Sequence, residues 1–113
     1  MKKFTQNNLK NIPLEDAHGG SGSRQVLVKP EQLSGEYFEA ITKGYLNPGF
    51  SYDWHIHENI DEVFIVLKGK GKFYWEKDKV NYQEGDIFTI PANSNHKITA
   101  VTKSEFYFVR IKS

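Results

Sequence analysis

The stretch GFSYDWHIHENIDEVFIVLKG, residues 49–69, decides how this chain folds. Two of the four histidines of the chain, His55 and His57, lie in it one residue apart, and Glu62 follows after four further residues. In an extended strand alternate side chains share a face, so the two imidazoles would point the same way, about 7 Å apart along the strand. If residues 61–67 form the second strand of a hairpin, Glu62 can approach both imidazoles. Two imidazoles and a carboxylate are a ligand set that suits a divalent transition metal ion.

Turn residues divide the remaining chain into short apolar segments, and glycine in these turns permits a positive φ. Gly44 lies inside one segment, which predicts a bulge or a bend there. With the residues around the histidine pair, the segments make eight to ten short strands and no periodic helix, which predicts an all-β sandwich or barrel. The segments are 24–28, 36–46, 61–67, 72–76, 80–82, 87–90, 96–101 and 105–111.

Length and composition limit the possible functions. With 113 residues the chain has room for one domain, which we divide into an N-terminal arm with a Gly/Ser loop at 1–23 and a β-barrel at 24–113. The absence of cysteine excludes disulfides and thiolate chemistry. Basic and acidic residues are interspersed with a net charge of +1, so nothing indicates a nucleic-acid or membrane partner. No apolar run reaches membrane-spanning length. The basic residues at the start of the sequence are not followed by the apolar region of a secretory signal peptide. We therefore expect a cytoplasmic protein.

A second set of regularly spaced residues lies nearer the C-terminus and ends at a third histidine, His96. Taken together, the two blocks resemble the two sequence motifs of the cupin superfamily. The blocks are Gly49-x5-His55-x-His57-x4-Glu62-x6-Gly69 and Gly85-x5-Pro91-x-Asn93-x2-His96.

The match to these motifs is complete in the first block and nearly complete in the second. Asn93 stands where the family usually has glycine, which is a mild departure because asparagine also tolerates a left-handed backbone. Ala100 stands where the family usually has asparagine, outside the ligand positions. The resemblance implies a double-stranded β-helix, a small jelly-roll barrel. It also implies one divalent transition metal ion inside the barrel, with Fe, Mn, Ni, Co and Zn all compatible. The resemblance implies that the ligands are His55, His57, Glu62 and His96.

Alternation along the strands predicts which side chains face the barrel interior. Asp53 would share a face with His55, where it would either orient a ligand imidazole or cap a turn. Arg110 alternates with two phenylalanines and would either anchor an anion inside or, as we expect, lie on the surface at the strand end. His18 lies in the Gly/Ser loop, where we expect it to be solvated. The predicted interior set is Asp53, His55, His57, Glu62, Phe64, Val66, His96, Ile98 and Ala100.

Two functions of different classes fit these features. One is a metalloenzyme acting on a small organic molecule, because an open metal position acts as a Lewis acid; the resemblance allows dioxygenase, isomerase or epimerase, decarboxylase and lyase activities. The other is a non-catalytic module that binds or senses a sugar or an organic acid. A structural metal in an inert barrel is a third possibility and would require a closed coordination shell. The fold does not choose among them, and the sequence assigns no catalytic residue.

The strand after the histidine pair is apolar on both faces. Val63, Ile65 and Leu67 alternate with Phe64 and Val66. A strand that is apolar on both faces is buried on both faces, and the N-terminal arm is too polar to cover the outer one completely. We therefore predict a homodimer that packs sheet to sheet.

Overall fold

The computed structural model describes residues 2–17 and 22–113. Within these residues the chain forms ten β-strands, with 3-10 turns at Leu9–Asn11 and Pro30–Gln32. None of the helices in this part of the chain is long and apolar enough to cross a membrane. The strands are β1 (Glu15–Ala17), β2 (Gly22–Val28), β3 (Phe38–Leu46), β4 (Ser51–His55), β5 (Ile60–Lys68), β6 (Gly71–Trp75), β7 (Asp78–Tyr82), β8 (Ile87–Ile90), β9 (His96–Ala100) and β10 (Ser104–Lys112).

Two antiparallel sheets form the walls of the barrel. The larger has six strands in the order β1-β2-β3-β10-β5-β8, and the smaller has four in the order β4-β9-β6-β7. Consecutive strands often lie in different sheets, so the chain crosses between the walls as in a jelly roll. This architecture confirms the predicted all-β double-stranded β-helix. It also brings the end of β4 next to the start of β9, each of which carries a histidine of the predicted site.

The core lies between the two sheets and is built from the inward-facing residues of each strand. Every second residue is buried from Glu62 to Val66 on β5 and from Ser104 to Phe108 on β10, which is the period of a strand with one face inward. Phe108 pairs with Phe64 and Phe106 with Val66 across these two strands. The Phe64 and Phe108 rings pack edge to face with their centroids 4.1 Å apart, a favourable aromatic geometry. The interior prediction is therefore confirmed for Phe64, Val66, His96, Ile98 and Ala100, all of which are buried.

Gly44 does not form the bulge or bend that its position in β3 predicts. It pairs in regular register with Phe106 on one side and Arg24 on the other. Glycine is required here because there is no room for a side chain. A Cβ atom would lie 2.6 Å from the Tyr52 hydroxyl and would also contact the Phe108 ring. The prediction of an irregular strand was wrong because a close approach and a bulge leave the same signal in a sequence.

Part of the predicted N-terminal arm is hydrogen-bonded to the barrel. β1 pairs with β2, with Glu15 opposite Arg24. The side-chain amide of Gln25, which is buried, donates to the carbonyl oxygens of Leu9 and Ile12. The division of the chain at residues 23 and 24 stays a prediction. His18 lies outside the described residues.

Candidate metal centre

Three histidines converge at one end of the barrel, between the two sheets. His55 is the last residue of β4 and pairs directly with His96, the first residue of β9. His57 follows in the link to β5, outside a regular strand, so the prediction that it continues the strand of His55 was wrong. The ring centroids are 4.8 Å apart for His55 and His57 and 4.2 Å apart for His55 and His96. One ligand atom from each of the three lies within 4.8 Å of the others, which is a spacing that a shared ion can bridge.

A bulge in β4 sets which side chains reach this centre. Tyr52 pairs with Ile98 and His55 pairs with His96, so three steps along β4 match two steps along β9. One extra residue on β4 brings both Tyr52 and His55 to the inner face. It also turns Asp53 outward, where its side chain is 76% exposed. The prediction that Asp53 shares the inner face was therefore wrong, and its carboxylate instead accepts a hydrogen bond from the Trp54 backbone N–H.

Backbone carbonyls orient two of the imidazoles. Nδ1 of His96 lies 3.0 Å from the carbonyl oxygen of Ser94, and Nδ1 of His55 lies 2.5 Å from that of Asp53. A carbonyl only accepts hydrogen bonds, so each Nδ1 carries the proton and each Nε2 presents a lone pair. This arrangement is the usual way in which a protein fixes the tautomer of a metal-binding histidine.

Two of the ring nitrogens are buried without a hydrogen-bond partner among the described residues. Nε2 of His57 and Nε2 of His96 have no hydrogen bond there. A buried polar atom without a partner costs roughly 1–3 kcal/mol, and proteins keep such atoms where a ligand satisfies them. The donor set therefore fits a metal ion that accepts imidazole nitrogen.

Glu62 lies beside both of these nitrogens. It is 3% exposed, with Oε2 3.6 Å from Nε2 of His57 and Oε1 3.7 Å from Nε2 of His96. Two ligands that each lie about 2.1 Å from one ion are roughly 3 to 4 Å apart, so the carboxylate is spaced as a ligand would be. Its Oε2 also accepts a hydrogen bond of 3.0 Å from Nε of Arg110.

The protonation states of these groups favour cation binding at neutral pH. Burial lowers the pKa of His55 and His57, in His57 to about 4, so both rings are neutral. Burial by itself would raise the pKa of the Glu62 carboxyl, but His96, His57 and Arg110 outweigh it and hold that pKa well below its usual range. Neutral imidazoles beside an ionised carboxylate are the forms that bind a divalent cation.

Arg110 points into the barrel, so the expectation of a surface position at the strand end was wrong. It lies on β10 directly opposite Glu62 on β5, and its side chain is 24% exposed. The sequence contains the signal, because Arg110 continues the inward alternation of Phe106 and Phe108. The surface location was favoured because a buried guanidinium requires a partner, and the partner is Glu62 on the neighbouring strand.

The loop before β9 holds the segment that carries His57. The backbone N–H of Asn93 donates to the carbonyl of His57 at 3.0 Å, and the Asn93 side chain accepts from the backbone N–H of Asn59. Asp61 accepts from the backbone N–H of Ala92. Asn93 has a φ of +67°, which confirms that asparagine serves at this usual glycine position. Asn93 and Asp61 are positioning residues, and the residue motif alone gave no sign of their contacts.

The three histidines open onto a narrow cavity of about 20 Å³. That volume holds about one water-sized or ion-sized occupant. Apolar residues such as Phe64, Ile98 and Phe108 line it, together with two arginines, Arg24 and Arg110. The Tyr52 hydroxyl lies 3.1 Å from the carbonyl oxygens of both Ser23 and Tyr45 and can donate its proton to either, and burial raises the pKa of this residue.

Known proteins of similar fold include two with named activities. A predicted oxalate decarboxylase from Thermotoga maritima superposes with a TM-score of 0.86 at 23% identity, over 96% of this chain and 100% of that chain. Ectoine synthase from P. lautus superposes with a TM-score of 0.82 at 13% identity, over 96% of this chain and 78% of that chain. At these identities the similarity establishes the fold alone.

Sequence similarity to a curated relative is confined to a short segment. A protein of Aquifex aeolicus described as uncharacterized is 45% identical over 42 residues, which is 37% of this chain and 35% of that protein. The match thus spans about a third of the relative. A family model described as the cupin domain matches residues 44–111, a range that contains both histidine blocks and more than half of the chain. This protein is therefore a member of the cupin family.

Proposed function

We propose that this protein is a metal-dependent cupin enzyme that acts on a small organic molecule. His55, His57, Glu62 and His96 would hold one divalent transition metal ion, with Fe, Mn, Ni, Co and Zn all compatible with nitrogen and oxygen ligands. The observation that carries the proposal is the pair of buried Nε2 atoms of His57 and His96, which have no hydrogen-bond partner among the described residues and face the Glu62 carboxylate.

The metal would supply a Lewis acid at the end of the barrel. The residues of this chain supply the rest of the environment. Carbonyl contacts fix the tautomers of His55 and His96, and Glu62 contributes a negative charge that offsets part of the charge of the ion. Phe64, Ile98 and Phe108 give the cavity an apolar lining that would restrict water. Dioxygenase, isomerase or epimerase, decarboxylase and lyase reactions all use such a centre, and similar folds include a predicted oxalate decarboxylase and an ectoine synthase.

A non-catalytic module that binds a sugar or an organic acid is the second candidate. One observation favours it: apart from the proposed ligands, the titratable cavity residues are Tyr52, Arg24 and Arg110. Burial raises the pKa of Tyr52, and arginine stays protonated. Among the described residues, the cavity thus offers no separate general acid or base near neutral pH.

Elemental analysis of the protein from its native source tests metal binding and identifies the ion. We expect about one divalent transition metal ion per chain, in accordance with one ligand set per barrel. Protein without bound metal, which also takes up none on dialysis against Mn, Fe, Co, Ni or Zn, would contradict the proposal. Turnover of small hydroxy, keto and dicarboxylic acids by the loaded protein distinguishes the enzyme from the binding module.

We also propose a homodimer, because part of the outer face of the larger sheet remains exposed. The N-terminal arm and Tyr107 line a groove over one half of this face. On the other half Ile65 of β5 pairs with Ile87 of β8, which is 64% exposed. We expect light scattering to give about 26 kDa, twice the mass of one chain, and Ile87→Lys to shift the protein toward 13.1 kDa. A single-chain mass at all concentrations would show that no partner covers this face.

A cytoplasmic location stays a prediction from the sequence.

A further inference from the structure

We propose that Arg24 and Arg110 form an anion-binding wall beside the metal centre, and that the ligand of this protein is a small carboxylate. The inference rests on the proposed metal function and names the chemistry of the molecule that would bind there. Both arginines line the same cavity as His55, His57 and His96. Arginine matches the planar carboxylate group with two parallel N–H donors.

Arg110 has hydrogen-bonding capacity that its protein contacts do not use. Its Nε–H donates to Glu62 at 3.0 Å, and it makes no other hydrogen bond or ion pair with residues 2–17 and 22–113. A guanidinium group has five N–H donors, so four remain for a ligand. The contact through Nε also fixes the plane of the guanidinium group next to the carboxylate that would bind the metal. A ligand on the remaining donors would therefore lie close to the ion.

Arg24 lines the cavity from a strand of the same sheet as Arg110. It lies on β2 and pairs with Gly44 on β3, while Arg110 lies on β10, the next strand of the sheet. Its Nε–H donates to Glu15 at 2.8 Å, and both of these side chains are partly exposed, at 39% and 52%. The positive charge of Arg24 is near enough to the Tyr52 hydroxyl to oppose the effect of burial on the pKa of that residue. Arg24 therefore lies at the mouth of the cavity, where its side chain can reorient toward an entering ligand.

The charges around the cavity are not balanced once a divalent ion is bound. Among the described lining residues Glu62 is the one carboxylate, and it pairs with Arg110, while Arg24 pairs with Glu15 outside the lining. These charges cancel, and a divalent ion would add two positive charges. Positive charge in a partly desolvated site is stable only when it is paired, so the loaded cavity favours an anion over a neutral molecule of the same shape.

The size of the cavity limits the ligand. Its volume of about 20 Å³ leaves little space beyond that of an ion, so a bulky sugar acid would require the barrel to open. A short carboxylate can instead occupy the mouth, with one oxygen toward the metal and the other toward the guanidinium groups. Metal and carboxylate would then stabilise each other, and by linkage each would raise the affinity of the other by the same factor.

The test uses the full chain loaded with Co(II), with malonate as the anionic probe and malonamide as its neutral counterpart. Isothermal titration calorimetry measures affinity, and the visible absorption of the bound Co(II) reports changes at the metal. The variants are Arg110→Met, Arg110→Lys and Arg24→Met. Lys112→Met is the matched control, because Lys112 is a cation on the same strand as Arg110 and its ion-pair partner is Glu39, outside the cavity.

We expect the wild type to bind malonate more tightly than malonamide, with a change in the Co(II) spectrum. Arg110→Met should weaken malonate binding by roughly 10-fold or more, as loss of a charge-assisted hydrogen-bonded pair does. Arg110→Lys should recover part of that loss, Arg24→Met should weaken binding by roughly 3- to 10-fold, and Lys112→Met should stay within about twofold. Arg24→Met keeps the test decisive if Arg110→Met fails to fold, since Arg24 is partly exposed.

Three negative results are possible, and they have two different meanings. A wild-type protein that takes up no Co(II) would overturn the proposed metal function and this inference with it. A Co(II)-loaded protein that binds malonate and malonamide equally would overturn this inference alone. The same holds if folded Arg110→Met and Arg24→Met, with normal Co(II) content, bind malonate as the wild type does.

Discussion

The His57→Ala protein is expected to fold normally but to bind the metal ion roughly 100-fold more weakly than the wild type, or worse. Loss of a residue that merely supports a ligand already costs about 10- to 100-fold in metal affinity, and His57 is a proposed ligand. The substitution should spare the metal-free fold, because His57 lies outside the regular strands and its side chain is 17% exposed. It also removes one of the two buried nitrogens that lack a partner among the described residues.

The loss of metal affinity should appear as a loss of metal-dependent stability. A metal ion at 100 times its dissociation constant stabilises the folded protein by about 2.7 kcal/mol. If the dissociation constant rises 100-fold, about 0.4 kcal/mol remains. For a domain of this size the difference corresponds to roughly 10 °C in Tm. Thermal unfolding with and without metal, combined with elemental analysis, measures both quantities.

Ile56→Ala is the matched control for this experiment. Ile56 is the neighbour of His57 and is 52% exposed, so its truncation changes the same link without removing a proposed ligand. We expect its metal content and its metal-induced rise in Tm to match the wild type. Unchanged metal stoichiometry in His57→Ala would remove that residue from the ligand set. A metal-induced rise in Tm that is lost equally in both variants would assign the effect to the conformation of the link.

The sequence predicts the barrel well because its strongest signals are local. Inward alternation along β5 and β10 gives the buried face of each strand. Residues that permit a left-handed backbone mark the reversals, such as Gly49 with a φ of +82° and Gly69 with a φ of +100°. Each signal depends on a few consecutive residues, and sequence alone is sufficient to read them.

Predictions failed where the position of a side chain depends on how its strand pairs with another strand. The outward position of Asp53 results from a bulge that exists only in the pairing of β4 with β9, and nothing in residues 51–55 specifies it. The inward position of Arg110 depends on Glu62, which is 48 residues away in the chain. Alternation alone would have placed Arg110 correctly, but the expected cost of burying a cation outweighed it. Long-range pairing thus decides the polar part of the site, whereas local alternation decides its apolar part.

The Phe106→Ala protein is expected to lose about 3–5 kcal/mol of unfolding free energy, as other buried phenylalanine truncations do. Phe106 is fully buried, at 0% exposure, and its ring centroid lies 5.0 Å from that of Phe64 and 5.5 Å from that of Tyr82. The loss is a large part of the roughly 5–15 kcal/mol that stabilises a typical domain. Urea unfolding of the metal-free protein measures it, and Phe4→Ala is the control, because it removes the same side chain from a site that is 92% exposed.

This variant also separates stability of the barrel from occupancy of the metal centre. In the described part of the chain Phe106 does not itself line the metal cavity; it contacts Phe64, which lines the cavity but is not a proposed ligand. We therefore expect Phe106→Ala to unfold at a lower temperature but to keep the metal-induced rise in Tm of the wild type, whereas His57→Ala should keep the metal-free Tm and lose the rise. If Phe106→Ala abolished the rise as well, the aromatic core and the histidine cluster would form one cooperative unit. If Phe106→Ala lowered the unfolding free energy by less than about 1 kcal/mol, the core would be able to collapse around the missing ring.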